Sequence, residues 1–272
     1  MQQIISQLQN GDIQKLVLRL VLGFVFFISG YKIAFPSDPA ALAASYADPS
    51  KGWISPYFVD WITNTLQLDV ATYLMYQGYL EMLMGVALIF GLMSTLTAIG
   101  MGVLYWAFTV ANPVAGEIRL SRDIALTFIT FGLAYYGPGR YSLDYGIKSL
   151  YRTGKEEVLL FALRFGVGFT FVFSALFAGG VMANPLNSTI PTVIVFVLGV
   201  LLMANIKIKY VAGASILFLV FAIGDTMLAK ESVFKAFDGT KRELAFLAAM
   251  LIVWAVKAKD DILTPTFWRM YR

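Results

Sequence analysis

The chain has 272 residues, 58% of them hydrophobic, a mean hydropathy of +0.71 and a formal net charge of +4. Soluble domains hold about 45–50% apolar residues, so the composition is that of an integral membrane protein. Histidine and cysteine are both missing. The chain therefore offers no imidazole or thiolate for haem, iron–sulfur, copper or zinc, and no disulfide; its thinly spread positive charge argues against a nucleic-acid partner.

In chain order, apolar runs fall at about 16–35, 72–92, 96–112, 123–138, 158–178, 190–205, 210–228 and 243–257. A bilayer core is crossed by roughly 20 apolar residues in a helix, so eight spans are predicted. The first run exceeds the usual core of about 7–15 residues of a secretory signal and has a counterpart later in the chain, which favours a retained helix over a cleaved one. Between the first two runs lies 36–71, with Pro36, Pro39, Pro49 and Pro56 and the aromatics Trp53, Tyr57, Phe58 and Trp61. This segment is expected to fold onto the helices as an external lid. Lys15, Arg19, Arg140, Lys155, Arg164, Lys207 and Lys209 all fall on one side if both termini are cytoplasmic, as the positive-inside rule prefers.

The spans carry an internal repeat. Leu18-Arg19-x-x-x-Gly23-Phe24-x-Phe26-x-x-Ser29 returns as Leu163-Arg164-x-x-x-Gly168-Phe169-x-Phe171-x-x-Ser174, and Arg122-Asp123-Ile124-Ala125 as Arg242-Glu243-Leu244-Ala245. The first pair is offset by 145 residues, the second helices by 114 and the fourth by 120. Four spans per copy keep the two copies in the same orientation, unlike the inverted repeats of many transporters. The expected fold is an all-α membrane protein of about eight helices in two like-oriented four-helix bundles, residues 1–150 with the lid and residues 151–272.

An ionisable side chain in hydrocarbon costs roughly 2.5 kcal/mol or more unless paired or wetted. Glu81 lies midway along the second span, and at an offset of 114 its counterpart is Val195. Lys32 ends the first span externally, and Arg122 and Asp123 open the fourth on that face. Glu81, Lys32, Arg122 and Asp123 are thus candidate catalytic residues, with Lys32 or Arg122 compensating Glu81 and the cations attracting an anionic substrate. A buried ion-pair network that only fixes helix register is the plainer alternative. Tyr76, Tyr79, Tyr105 and Trp106 are candidate walls for a quinone ring, with a membrane aromatic belt as the other reading. Arg19 and Arg164 are expected to be structural, and the glycines of the spans to permit close helix approach.

Glu81-Met82-Leu83-Met84-Gly85-x-x-Leu88-x-x-Gly91-Leu92, then Arg122-Asp123-x-Ala125-Leu126 and Gly137-Pro138-Gly139-Arg140-Tyr141-Ser142-Leu143-Asp144, resemble the DoxX/DoxD superfamily. The lid with Gly52-Trp53-Ile54-Ser55-Pro56 is similar to the DoxD branch. The resemblance covers 16–146, and a degenerate second copy follows. It implies a membrane subunit of a thiosulfate:quinone oxidoreductase, quinone as acceptor, and a DoxA-like or oxidase partner in the cell membrane. It equally implies an alternative, a non-catalytic accessory subunit of a respiratory or other energy-converting membrane complex.

Overall fold

The computed structural model describes residues 7–48, 55–111, 117–147, 154–176, 189–230 and 233–256. Its regular elements are helical, and no strand occurs among the described residues. Each long apolar run lies in a helix. The first, α1 (Gly11–Ala34), starts at Asn10, whose side chain accepts from the Asp12 amide and so satisfies one of the unpaired donors of the first turn. Two short helices follow, α2 (Pro39–Ala47) and α3 (Pro56–Asp60), and in both a side-chain oxygen, from Asp38 or Ser55, caps a helix that begins at proline. Proline suits that position because its missing amide would have been unpaired anyway. A π turn, Trp61–Thr65, continues α3 and buries Ile62 completely.

The long helices α4 (Val70–Phe90), α5 (Ser94–Ala111) and α6 (Glu117–Tyr136) complete the first half. The second half holds α7 (Glu156–Leu176), α8 (Thr189–Met203), α9 (Ile208–Leu228) and α10 (Val233–Val256). By length and composition, α1, α4, α7 and α9 are long and apolar enough to cross a membrane. The described parts of segment 36–71 fold against α4: α2 packs on it, and Phe58 stacks on Trp61 and meets Tyr73 edge-on at 5.7 Å. Trp53 lies outside the described residues, and Tyr57 is exposed.

At two of the three offsets of the sequence repeat, corresponding glycines meet at helix crossings. α1 crosses α4 where Gly23 meets Gly85: a β-carbon on Gly23 would lie 2.8 Å from the Gly85 carbonyl oxygen. α7 crosses α8 where Gly168 meets Gly199, again at 2.8 Å by the same measure. The offsets of 145 and 114 carry the first pair of glycines onto the second. In both crossings the missing side chain lets backbone approach backbone.

Within each half the first helix packs on the second and the third on the fourth. Between halves, α6 packs along α7 and α10 along α1, so one apolar core holds side chains from both, including Leu22, Phe26, Leu126, Leu163, Phe171 and Phe246. α1, α6, α7 and α10 make the contacts between the halves, and α4, α5, α8 and α9 pack on α1, α6, α7 and α10 respectively.

Arg19 and Arg164 perform the same task in the two copies. Arg164 is fully buried and donates from Nη1 to the Leu202 carbonyl at 3.0 Å and to that of Met203, at the C-terminal end of α8. Arg19, also fully buried, lies against the C-cap Gly91 of α4 and donates to the Tyr141 carbonyl at 2.5 Å. Each guanidinium thus lies at the C-terminal end of a helix, the negative end of its dipole, Arg164 donating to carbonyls of α8 and Arg19 to the loop carbonyl of Tyr141 beside α4.

The Gly137–Asp144 motif is part of this arrangement. Asp144, 1% exposed, accepts from the amides of Met93 at 2.7 Å and Ser94 at 2.6 Å, capping α5, while Arg140 pairs with Asp12 at the start of α1. The motif is therefore a clamp between the α4–α5 hairpin and α1.

Candidate functional site

Glu81 sits on the face of α4 that packs closest to α1. A β-carbon on Gly30 of α1 would lie 2.5 Å from the Gly78 carbonyl oxygen and 2.8 Å from the Glu81 β-carbon, so the two helices nearly touch beside the carboxyl group. Glu81 is 4% exposed, and one turn earlier Gln77 donates from Nε2 to its Oε1 at 2.9 Å. Two residues on the same side of a helix, four apart, are spaced for this bond.

The charges that face Glu81 come mostly from the other half of the chain. Lys241 and Arg242 of α10 and Asp123 of α6 all act electrostatically on its carboxyl group. Arg242 pairs with Asp123 at 3.5 Å, and Lys241 with Asp238 at 2.8 Å. Asp238 also receives the ammonium of Lys32 at 2.5 Å, which ties the C-terminal turn of α1 to the first turns of α10. Tyr105 of α5 closes the cluster: it is 6% exposed, lies edge-on to Phe26 at 4.9 Å, and its hydroxyl feels Arg242, Asp123 and Glu81. A cluster drawn from α1, α4, α5, α6 and α10 gathers Lys32, Glu81, Asp123, Asp238, Lys241 and Arg242 inside an apolar surround. Such groups persist there because each stands near opposite charge.

The structure brings together part of the predicted set. Glu81 and Asp123 enter one cluster. Lys32 joins it through Asp238, and its partner is Asp238 rather than Glu81 as expected. The side chain of Arg122 lies outside the described residues; its repeat counterpart, Arg242, occupies the place beside Asp123. Tyr76, Tyr79 and Trp106 are 58%, 43% and 53% exposed. They belong to the outer surface of α4 and α5, with Leu83, Val86 and Val103, and do not wall the charged cluster.

Sequence reasoning missed Gln77, Asp238, Lys241 and Arg242 as site residues, and it named Tyr105 only as a wall for a quinone ring. Arg242 had a signal, since it repeats Arg122; what the sequence did not display is that the fourth helix of one copy serves the acid of the other. Val195, at the place of Glu81 in the second copy, is 1% exposed and purely apolar, so the repeat holds one buried acid at this position rather than two.

Comparison with known proteins adds one finding. Residues 14–112 match the model of the DoxX family. No curated protein and no solved structure matches the chain. The DoxX segment runs from α1 through α5 and contains Lys32, Tyr76, Gln77, Tyr79, Glu81, Tyr105 and Trp106. Asp123, Asp238, Lys241 and Arg242 lie beyond it, so the matched segment supplies Glu81 and Lys32 and the rest of the chain supplies their charged partners.

Proposed function

We propose that this chain is a multi-pass cell-membrane protein of DoxX type, with eight spans in two like-oriented sets of four and both termini cytoplasmic. In this reading it is the DoxD-like membrane subunit of a quinone-linked oxidoreductase, with thiosulfate as the candidate donor. The observation that carries the proposal is the burial of Glu81 among Gln77, Lys241, Arg242 and Asp123 in an otherwise apolar helix bundle. An acid kept inside a membrane protein is most often a proton relay or a binding group.

Glu81 would hold or release the proton that accompanies electron transfer, with Gln77 fixing its carboxyl group and Lys241 setting the local field. Lys32, the most accessible cation of the network with its side chain 48% exposed, would meet the anionic donor beneath segment 36–71. A quinone dissolved in the bilayer would take two electrons from the oxidised donor together with two protons, and Tyr76, Tyr79 and Trp106 stand on the outer surface. These three rings do not enclose a pocket with Glu81, so no step is assigned to them.

The alternative is a non-catalytic accessory subunit of a respiratory or other energy-converting complex. A specific observation favours it: Lys32 and Lys241 are bonded to Asp238, and Arg242 to Asp123, as in a network whose role is to hold helices in register.

Thiosulfate-dependent reduction of a quinone by the purified chain, with and without a DoxA-like partner, separates the two. Activity that falls at least about tenfold in Glu81→Gln while the fold is retained supports the enzyme. A well-folded, inactive wild type that comigrates with a larger complex on native gels supports the accessory subunit.

A further inference from the structure

α1 and α10 run antiparallel and are tied at both ends. At one end Gln9 donates from Nε2 to the Ala255 carbonyl at 3.0 Å, and at the other Lys32 pairs with Asp238. Between these ties lies a cleft of about 390 Å³, walled by Val17 and Val21 on one side and Leu244, Leu247 and Leu251 on the other. Phe24, 48% exposed, lines the cleft as well and marks where it opens on the outer surface. Among the described residues that line it, Lys241 alone is charged.

The antiparallel register fixes where that charge stands. Lys241 is beside the Lys32–Asp238 tie, whereas Leu251 is towards the Gln9–Ala255 tie. The ten residues between them rise about 15 Å along the helix. A narrow apolar cleft of that length with an ammonium at one end has the outline of one hydrocarbon chain with a polar head. Its volume is in the range of small-molecule sites, roughly 300–1,000 Å³.

The sign of the head follows from Lys241, the one charged group among the described residues of the lining. Lys32 and Lys241 both bond to Asp238, on its two oxygens. At this end of the cleft two ammonium groups thus bond to one carboxylate. The nearby carboxyl of Glu81 is on α4 and takes its hydrogen bond from Gln77. An incoming carboxylate would supply the second anion of the Lys32–Asp238–Lys241 group.

We infer that the α1–α10 cleft binds a single-chain fatty carboxylate drawn from the bilayer, its tail laid between α1 and α10 and its head at Lys241. The inference goes beyond the proposed redox function and does not depend on electron transfer.

Binding to the full-length protein in nanodiscs tests it, with oleate and oleyl alcohol competing against a fluorescent fatty-acid probe. Oleate is expected to bind at one site and oleyl alcohol about tenfold or more weakly, since the alcohol forfeits a charge-assisted bond. Lys241→Gln should erase that difference while leaving the tail bound. Val21→Phe, which fills the cleft, should weaken both ligands; Val17→Phe is the second choice if the first variant does not keep the wild-type melting profile. Equal affinity for the acid and the alcohol, undiminished binding in folded cleft-filled variants, or tighter binding of a short-chain prenyl quinone than of oleate would each overturn the inference.

Discussion

Asp123 and Arg242 show how much of the site depends on a single pair. Their side chains are 12% and 28% exposed, and neither charge could be left alone in an apolar surround without loss. Asp123→Ala is expected to destabilise the protein by roughly 2–3 kcal/mol, the cost of stranding a guanidinium. Replacing both partners, Asp123→Ala with Arg242→Met, should recover part of that loss. Thermal unfolding in mild detergent, arranged as a double-mutant cycle, measures the coupling, and additive losses would show that the pair contributes nothing. The residue scale is also where sequence reading reached furthest and then stopped. Glu81 was legible because a carboxyl group in a long apolar run is costly. Its neighbours were not, because Lys241 and Arg242 lie more than 150 residues away at the start of a helix, where basic residues are ordinary.

At the scale of elements, the repeat predicts equal sensitivity in places that share no neighbours. Gly23 and Gly168 stand at corresponding helix crossings, and a side chain at either would press on backbone across the contact. Gly23→Val and Gly168→Val should each destabilise by about 1–3 kcal/mol or more, as overpacking does. Melting temperatures of the two variants should fall together; tolerance of one and not the other would mean that the crossings are not equivalent. The helices themselves were readable from the apolar runs, since each run exceeds what a loop would carry. Which helix neighbours which was less so: short connections tie α4 to α5 and α8 to α9, but the closest packing is α1 on α4 and α6 on α7. The Gly137–Asp144 motif shows the same limit. Its residues were recognisable as a signature, yet only the structure reveals that Asp144 caps α5 and that Tyr141 receives Arg19.

At the scale of the molecule, the two halves differ in composition but not in importance. The second half has Val195 where the first has Glu81. The structure gives it Asp238, Lys241 and Arg242, the charges that surround Glu81 and hold Lys32. A segment of residues 1–150 expressed alone should therefore fail to accumulate as a folded membrane protein, whereas coexpression with 151–272 should restore a complex. Copurification of the two segments measures this, and a stable, monodisperse first segment would contradict it. The matching glycine crossings carry a further consequence. They set the first helix of each half against its second, and the first helix also receives the fourth helix of the other half, α10 on α1 and α6 on α7. Only one of these exchanges carries charge to a buried acid at this position: α10 brings Lys241 and Arg242 to Glu81, whereas Val195 stands at the matching place in the second half. The two halves thus have different duties, a division of labour that two identical subunits could not make.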